Sequence, residues 1–505
     1  MSFAVIHTRA RVGIEAPAVT VETHLSGGLP SLSIVGMPET AVKESKDRVR
    51  SALINAGFDF PARRITINLA PADLPKEGSR FDLAIALGIL AASGQVEAGS
   101  VQGLEFLGEL ALDGRLRPLQ GILPAVLAAR RAGRTIMVPE DNRNEAALAV
   151  RDDVFAVDHL LRVCAHLQGE KRLAPIAPET PSLEPSDQGP DLRDVQGQHV
   201  PKRALEIAAA GSHNLLFHGP PGTGKSMLAT RLPGLLPALS DEAALEVASV
   251  HSVAGQCPDP ASWRRPPYRS PHHTASAVAL VGGGSSPRPG EISLAHRGVL
   301  FLDELPEFDR RVLEVLREPM ESGEISISRA ANQVTYPARF QVVGAMNPCP
   351  CGYQGHPSIP CECSPQQIVR YRSRLSGPLL DRFDMHVAVP VQDGSRLLRP
   401  QAGELDSATV RERVQVCRER QASRGCLNAE LSGRDLHRAC SLDDAAEQIL
   451  EQAMARLGLS ARALHRILRV GRTIADLGGD ERVAREHLVE ALGYRSLERR
   501  ERQSA

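Results

Sequence analysis

Short unbroken apolar runs at residues 215–217, 299–302 and 342–345 alternate with segments of helical period. That is the pattern of a parallel α/β sheet buried on both faces. Upstream the pattern differs. Residues 39–56 predict an amphipathic helix, 64–69 alternate as a half-buried strand, and 83–92 are apolar throughout, predicting a buried helix. Residues 105–119 predict a hairpin closed by a two-residue turn at Asp113-Gly114. A second hairpin is predicted over 321–341, around Ser328-Arg-Ala-Ala331. Beyond about Asp393 the strand pattern ends, and from Ser407 onward an Arg-, Glu- and Ala-rich helical period predicts a bundle.

Five prolines with Ser, Glu and Asp fill residues 168–190 without an apolar period, the composition of an extended linker. The chain therefore divides into an α+β domain at 1–167, the linker at 168–190, an α/β core at 191–393 and a helical domain at 394–505. A length of 505 residues suits several cores rather than one. With 59 Lys and Arg against 60 Asp and Glu there is no overall basic footprint, so any nucleic-acid contact is local. No segment approaches the ~18 consecutive apolar residues of a membrane span, and the N-terminus lacks a signal-peptide pattern, so a cytoplasmic protein with no membrane partner is expected. Nine cysteines are too few for a disulfide scaffold in such a chain and are expected as free thiols or metal ligands.

The strongest chemical signal is Gly219, Pro220, Pro221, Gly222, Thr223, Gly224, Lys225 and Ser226, which fit G-x-x-x-x-G-K-[ST] between a predicted strand and a predicted helix. Glycines let such a loop turn its N–H groups toward phosphate oxygens, and side chains at Gly222 or Gly224 are expected to crowd the ligand. Lys225 then reaches the β- and γ-phosphates of ATP, Ser226 ligates Mg2+, and the helix N-terminus adds its dipole. A second apolar strand ends in Asp303 and Glu304, where ligands of α/β sheets collect. Asp303 suits Mg2+ through water, and Glu304 suits the general base that activates the attacking water.

These motifs, with Arg269-Ser-Pro-His-His-Thr-Ala-Ser276, Pro289-Gly-Glu-Ile-Ser-Leu-Ala-His296 and Asn347-Pro-Cys-Pro-Cys-Gly352, make the chain resemble the ComM/YifB group of magnesium-chelatase-like AAA+ proteins. Its central block also resembles the motor of MCM helicases. The resemblance implies a sensor-1 role for Asn347, an arginine finger acting on the neighbouring subunit for Arg382, and sensor 2 on a helical lid for Arg462. It also implies a homo-hexamer. Guanidinium suits the charge that develops on a transferred phosphoryl group. Pro75-Lys-Glu-Gly78 and residues 107–118 resemble the ribosomal-S5-like fold of the Lon proteolytic domain. Arg80 stands at the serine's place and Leu123 at the lysine's, so the domain is expected to be non-proteolytic.

Cys349, Cys351, Cys361 and Cys363 form two C-x-C pairs nine residues apart, either a thiolate shell for Zn2+ or reduced thiols. Cys164, Cys257, Cys417, Cys426 and Cys440 are scattered. Arg329 falls at the tip of the second hairpin, where the MCM resemblance places a basic residue, and a cation there suits a DNA phosphate backbone. Arg264, Arg265 and Arg269, then Arg370, Arg372 and Arg374, are local basic clusters, and Arg495–Arg502 reads as a solvated helix end. Two functions remain open at this point: a hexameric motor on single-stranded or branched DNA, expected in recombination during natural transformation, and a chelatase-type remodelling subunit acting on a protein partner.

Overall fold

A computed structural model of the chain describes residues 2–149, 154–177, 189–256, 262–284, 287–328, 333–392, 404–457 and 459–495. The N-terminal unit is built on a seven-stranded sheet in the order Ser31–Val35, Arg64–Ala70, Ala18–Ser26, Phe3–Arg9, Leu104–Phe106, Thr135–Pro139, Val154–Val157. Ala18–Ser26 runs antiparallel to both of its neighbours, and the remaining pairs are parallel. Helix Asp82–Ser93 packs against Phe3–Arg9 and Ala18–Ser26 and is buried on nearly every side, which explains its apolar sequence.

Two local expectations need correction. Residues 39–56 form two helices, Thr40–Lys43 and Ser45–Asn55, broken at Glu44 beside the point where Ser45 and Arg48 bind the buried Asp82 carboxylate. In the first hairpin, Glu109–Leu110 pairs with Leu116–Arg117, and the Ala111 N–H still donates to the Arg115 carbonyl at 2.8 Å. The loop therefore holds three residues, Leu112, Asp113 and Gly114, with Gly114 at φ +89°.

The central sheet is wholly parallel: Tyr268–Arg269, Val299–Leu302, Gln341–Met346, Leu215–His218, Met385–Ala388. The first and last of these strands escaped the sequence pattern. Its side chains divide with period two. Leu215, Phe217, Phe301, Val343 and Ala345 face a core that continues into the C-terminal helices through Leu436, Ile467, Val470 and Leu488. Leu216, Leu300, Leu302 and Val342 face a second core shared with Ile325, Ile327, Val334 and Tyr336 of the hairpin Glu324–Ser328/Gln333–Pro337. One face thus carries the helical bundle and the other carries the hairpin.

The described C-terminal helices are Ser407–Ala422, Gly433–Ala439, Asp444–Leu457, Ala461–Gly478 and Arg485–Gly493. Arg495, expected at a solvated end, is 1% exposed and donates to the Phe383 carbonyl at 3.0 Å. Within the proline-rich stretch Ile176 is buried, and its N–H donates to the Val154 carbonyl at 2.8 Å.

Among the described residues, the N-terminal unit meets the central unit at two places. Val12 and Ile14 pack into the core beneath the hairpin. On another side, Glu145 accepts from the Leu123 N–H at 3.0 Å and from the Ser252 hydroxyl of helix Asp241–Val253, while the Gly121 N–H donates to the Ser252 carbonyl at 3.1 Å.

Candidate nucleotide site

The loop from Gly219 to Ser226 leaves the fully buried strand Leu215–His218 and enters helix Lys225–Ala229. Gly222 and Gly224 adopt φ +74° and +90°, left-handed backbone that favours glycine. The space where their β-carbons would stand is open, so backbone conformation and not crowding requires glycine in this form of the chain. The Lys225 ammonium donates to the Gly219 and Pro220 carbonyls at 2.8 Å each and to Asn347 Oδ1 at 3.0 Å. Burial pushes it down to about 8, against the opposing pull of Asp303 and Glu304.

The register of the sheet brings Asn347 there. His218 and Met346 are paired partners on parallel strands, so the residues that follow them, Gly219 and Asn347, emerge side by side. The Gly219 N–H donates to the Met346 carbonyl at 3.2 Å.

Val299–Leu302 delivers the carboxylates at the same edge. The Ser226 hydroxyl donates to Asp303 Oδ2 at 2.6 Å, which joins the two candidate magnesium ligands. The other Asp303 oxygen accepts from the Glu304 N–H at 2.9 Å. Glu304 sits at φ +51°, a left-handed conformation costly for a residue with a side chain. Its carboxylate is half exposed and lies 3.1 Å from Nδ1 of His273. Nothing in the local sequence pattern ties His273 to residue 304.

The candidate arginines fall in different surroundings. Arg382 is 9% exposed, pairs with Glu321 at 2.6 Å, and donates to the Arg317 and Pro378 carbonyls at 3.0 and 2.6 Å. None of these partners belongs to the phosphate loop. On helix Ala461–Gly478, Arg466 pairs with Asp384 at 3.4 Å and Arg469 donates to the Leu431 carbonyl at 2.7 Å, whereas Arg462 is exposed. Arg329 lies outside the described residues, which include both strands of its hairpin. The other basic clusters spend charge internally: Arg264 pairs with Asp241, Arg269 with Glu291 and Arg374 with Glu307.

The sulfurs of Cys349, Cys351, Cys361 and Cys363 lie within 4.8 Å of one another. Three of their separations are 3.4, 3.6 and 3.6 Å, close to the about 3.8 Å edge of a tetrahedral zinc–thiolate shell with ~2.3 Å bonds. Burial pushes the Cys349 thiol up to about 12, while Cys351 is held down to about 6, first by the Tyr353 N–H. Four cysteine sulfurs at these separations are the donor set and geometry that fit zinc. The cluster begins two residues after Asn347, and Arg372 ties the intervening Pro348 carbonyl at 3.3 Å.

In the N-terminal unit, Arg80 is buried, donates to the Gln120 carbonyl at 2.7 Å, and is pushed down to about 9 by burial. Leu123 is fully buried. Ser79 binds Glu109, and the Lys76 ammonium binds the Pro71 carbonyl.

No described helix is long and apolar enough to cross a membrane. Family models described as "Magnesium chelatase, subunit ChlI", "Subunit ChlI of Mg-chelatase" and "Magnesium chelatase, subunit ChlI C-terminal" match residues 191–397, 21–142 and 404–495. The chain is 53% identical to competence protein ComM of Haemophilus influenzae over 99% of this chain and 98% of that one. It is 52% identical to the YifB protein of Salmonella typhimurium over the same shares. With the 67 kDa magnesium-chelatase subunit of Heliobacterium mobile it shares 28% identity, over 33% of its length. A mixed α/β architecture with a parallel nucleotide-type sheet, together with near-full-length identity of this level, shows that the chain belongs to the ComM/YifB family of magnesium-chelatase-like AAA+ proteins.

Proposed function

We propose that the chain hydrolyses ATP with Mg2+ and works as a homo-hexameric DNA motor, a branch-migration helicase or translocase serving recombination during natural transformation. The observation that carries the hydrolytic part is the convergence of Lys225, Asn347, Ser226 and Asp303 across three parallel strands. The loop N–H groups and Lys225 bind the triphosphate, Asn347 orients its γ-phosphoryl end, and Glu304 takes the proton of the attacking water. Ser226 and Asp303 would hold Mg2+, which when bound neutralises charge between the β- and γ-phosphates. Arg382 would complete a neighbour's site, and Arg462 would close the lid on the same nucleotide. The four cysteines would hold a structural Zn2+ that braces the segment after Asn347. The N-terminal unit is non-proteolytic, since a buried arginine and a buried leucine occupy the places of nucleophile and base.

The DNA part is supported by the name of the competence relative and by the hairpin on the sheet face opposite the lid. A second reading, a chelatase-type subunit working on a protein partner, is favoured by the ChlI family models. An ATPase assay with single-stranded, duplex and branched DNA separates them. The motor reading expects turnover to rise with DNA and binding to weaken with salt, because arginine–phosphate contacts release counterions. Arg329→Ala should lower the stimulation. Glu304→Gln should bind ATP yet lose about 100-fold or more in turnover, the scale of a missing general base, whereas Lys225→Ala should lose nucleotide binding. If no DNA structure binds at low salt or changes turnover, the DNA reading fails and the ATPase reading stands. Undiminished turnover in Glu304→Gln would remove the ATPase assignment of that residue.

A further inference from the structure

The cysteine cluster touches the phosphate loop itself, and not only the segment after Asn347. Gly352, which follows Cys351, has φ +85°, and a β-carbon there would stand 2.8 Å from Cδ of Pro221 and 3.2 Å from its Cγ. Pro221 belongs to the phosphate loop. Its Cδ is bonded to its own backbone nitrogen, so a push on the ring moves the loop backbone directly. The adjoining Pro220 carbonyl accepts from the Lys225 ammonium at 2.8 Å and from the Thr223 hydroxyl at 3.0 Å. Residues 220 and 221 thus have two anchors, the loop's own lysine and threonine, and the turn at Gly352.

The cysteines decide where that turn sits. The Gly352 N–H donates to the Cys349 carbonyl at 3.0 Å, the Gln354 N–H reaches Cys349 Sγ at 3.3 Å, and the Cys351 N–H reaches Cys363 Sγ at 3.4 Å. Backbone N–H groups aimed at sulfur orient the ligands of a metal. Ser364, directly after Cys363, caps helix Pro365–Arg372, and the helix returns to the cluster through Arg372, which donates to the Pro348 carbonyl at 3.3 Å and to Gln354 at 2.8 Å. Gly352 lies in the stretch between the two cysteine pairs. A metal across the four sulfurs closes that stretch into a ring, which weak N–H···S contacts alone would leave loose.

We propose that zinc in the cysteine cluster and nucleotide in the phosphate loop are thermodynamically linked, with Gly352 and Pro221 as the contact that joins them. The metal fixes the turn at Gly352, the turn seats Pro221, and a loop so seated presents its N–H groups and Lys225 to phosphate. The proposal rests on both earlier readings, of the cluster as a zinc site and of the loop as a nucleotide site. A coupling free energy acts equally in both directions, so nucleotide tightens zinc by the factor by which zinc tightens nucleotide. Loss of zinc then lowers the share of chains that can carry ATP.

The test needs no turnover. Zinc affinity of the full chain is measured by competition with a chromogenic chelator, with and without saturating ADP and Mg2+, and ADP affinity is measured with a fluorescent analogue. ADP should tighten zinc by about tenfold, within the usual range of such couplings. Lys225→Ala, unable to take nucleotide, should show no such effect, which separates linkage from direct chelation of zinc by ADP. Gly352→Ala keeps all four cysteines but pushes on Pro221. It should retain one zinc per chain and bind ADP about tenfold more weakly. Gly355→Ala is its control, since Gly355 has φ +78° in the same stretch but open space around it, and it should bind ADP as the wild type does. Zinc affinity indifferent to ADP in the wild type overturns the proposal, and so does equal ADP affinity in the two glycine variants. If the wild type holds no zinc, the metal reading fails and the linkage with it. If it holds zinc but no ADP, it is the nucleotide reading that fails.

Discussion

Val334 lies so close beneath Gly13 that a β-carbon on Gly13 would stand 2.5 Å from its Cγ1 methyl, and Gly13 itself has φ +59°. This contact joins the N-terminal unit to a strand of the hairpin, with Val12 and Ile14 packed on either side of it. The tertiary arrangement therefore makes the N-terminal unit a brace for the hairpin.

Gly13→Ala should destabilise the protein by about 1–3 kcal/mol more than Gly57→Ala, the scale of overpacking a filled site. Gly57 shares the left-handed backbone, at φ +83°, but has open space around it, so the comparison isolates the contact from the backbone term. Denaturant unfolding measures the difference. Equal losses in the two variants would show that the joint yields freely.

Arg382 is committed within its own chain to Glu321 and two carbonyls, so action on a neighbour requires an assembled ring to draw it out. Arg382→Ala should bind nucleotide near normally and hydrolyse it poorly. Mixing it with Lys225→Ala subunits should restore some turnover, because a mixed interface pairs an intact site with an intact arginine. Full activity in a verified monomer contradicts the assignment.

Protein purified without added metal should carry about one zinc per chain, detected by elemental analysis under reducing conditions. Cys361→Ser should lose it, since Cys361 lies 3.6 Å from both Cys349 and Cys351. Hydrogen exchange should then quicken first around 347–363. Metal-free wild type with native melting would leave the cluster as four thiols.

Acid should destabilise this fold early. Burial pushes His386 down from 6.5 to about 3, with repulsion from Arg495 adding to the shift, and burial likewise lowers His296 to about 4. The unfolded chain takes these protons near the ordinary value. The stabilisation is therefore fully present above about pH 6.5 and is lost as pH falls from there toward the folded values. Between pH 7 and pH 5 His386 alone should remove about 2 kcal/mol. Denaturant unfolding at the two pH values checks this, and His386→Gln should show a shallower loss. Identical stability at pH 5 and pH 7 in the wild type would refute it.

The phosphate loop, the Asp303-Glu304 pair and the second hairpin were legible in the sequence because each is built by contiguous residues whose backbone or period does the work. Their strands and turns need few distant partners to be recognised. The first hairpin shows the limit even there. Asp113-Gly114 marked the turn, but the pairing of Ala111 with Arg115 decided that its loop has three residues.

What the tertiary structure decided depends on register between strands joined by long crossovers. Asn347 meets Lys225 because His218 and Met346 are partners on parallel strands, and His273 meets Glu304 because Tyr268–Arg269 lies beside Val299–Leu302. Arg462, Arg466 and Arg469 repeat along one helix and cannot be ranked by sequence. Packing against Asp384 and Leu431 commits the latter two and leaves Arg462 exposed. By itself the sequence determined the chemistry the chain can attempt, since that resides in contiguous motifs. Only the fold determined which distant side chains restrain it, since those contacts exist only once the sheets are aligned and the cores are closed.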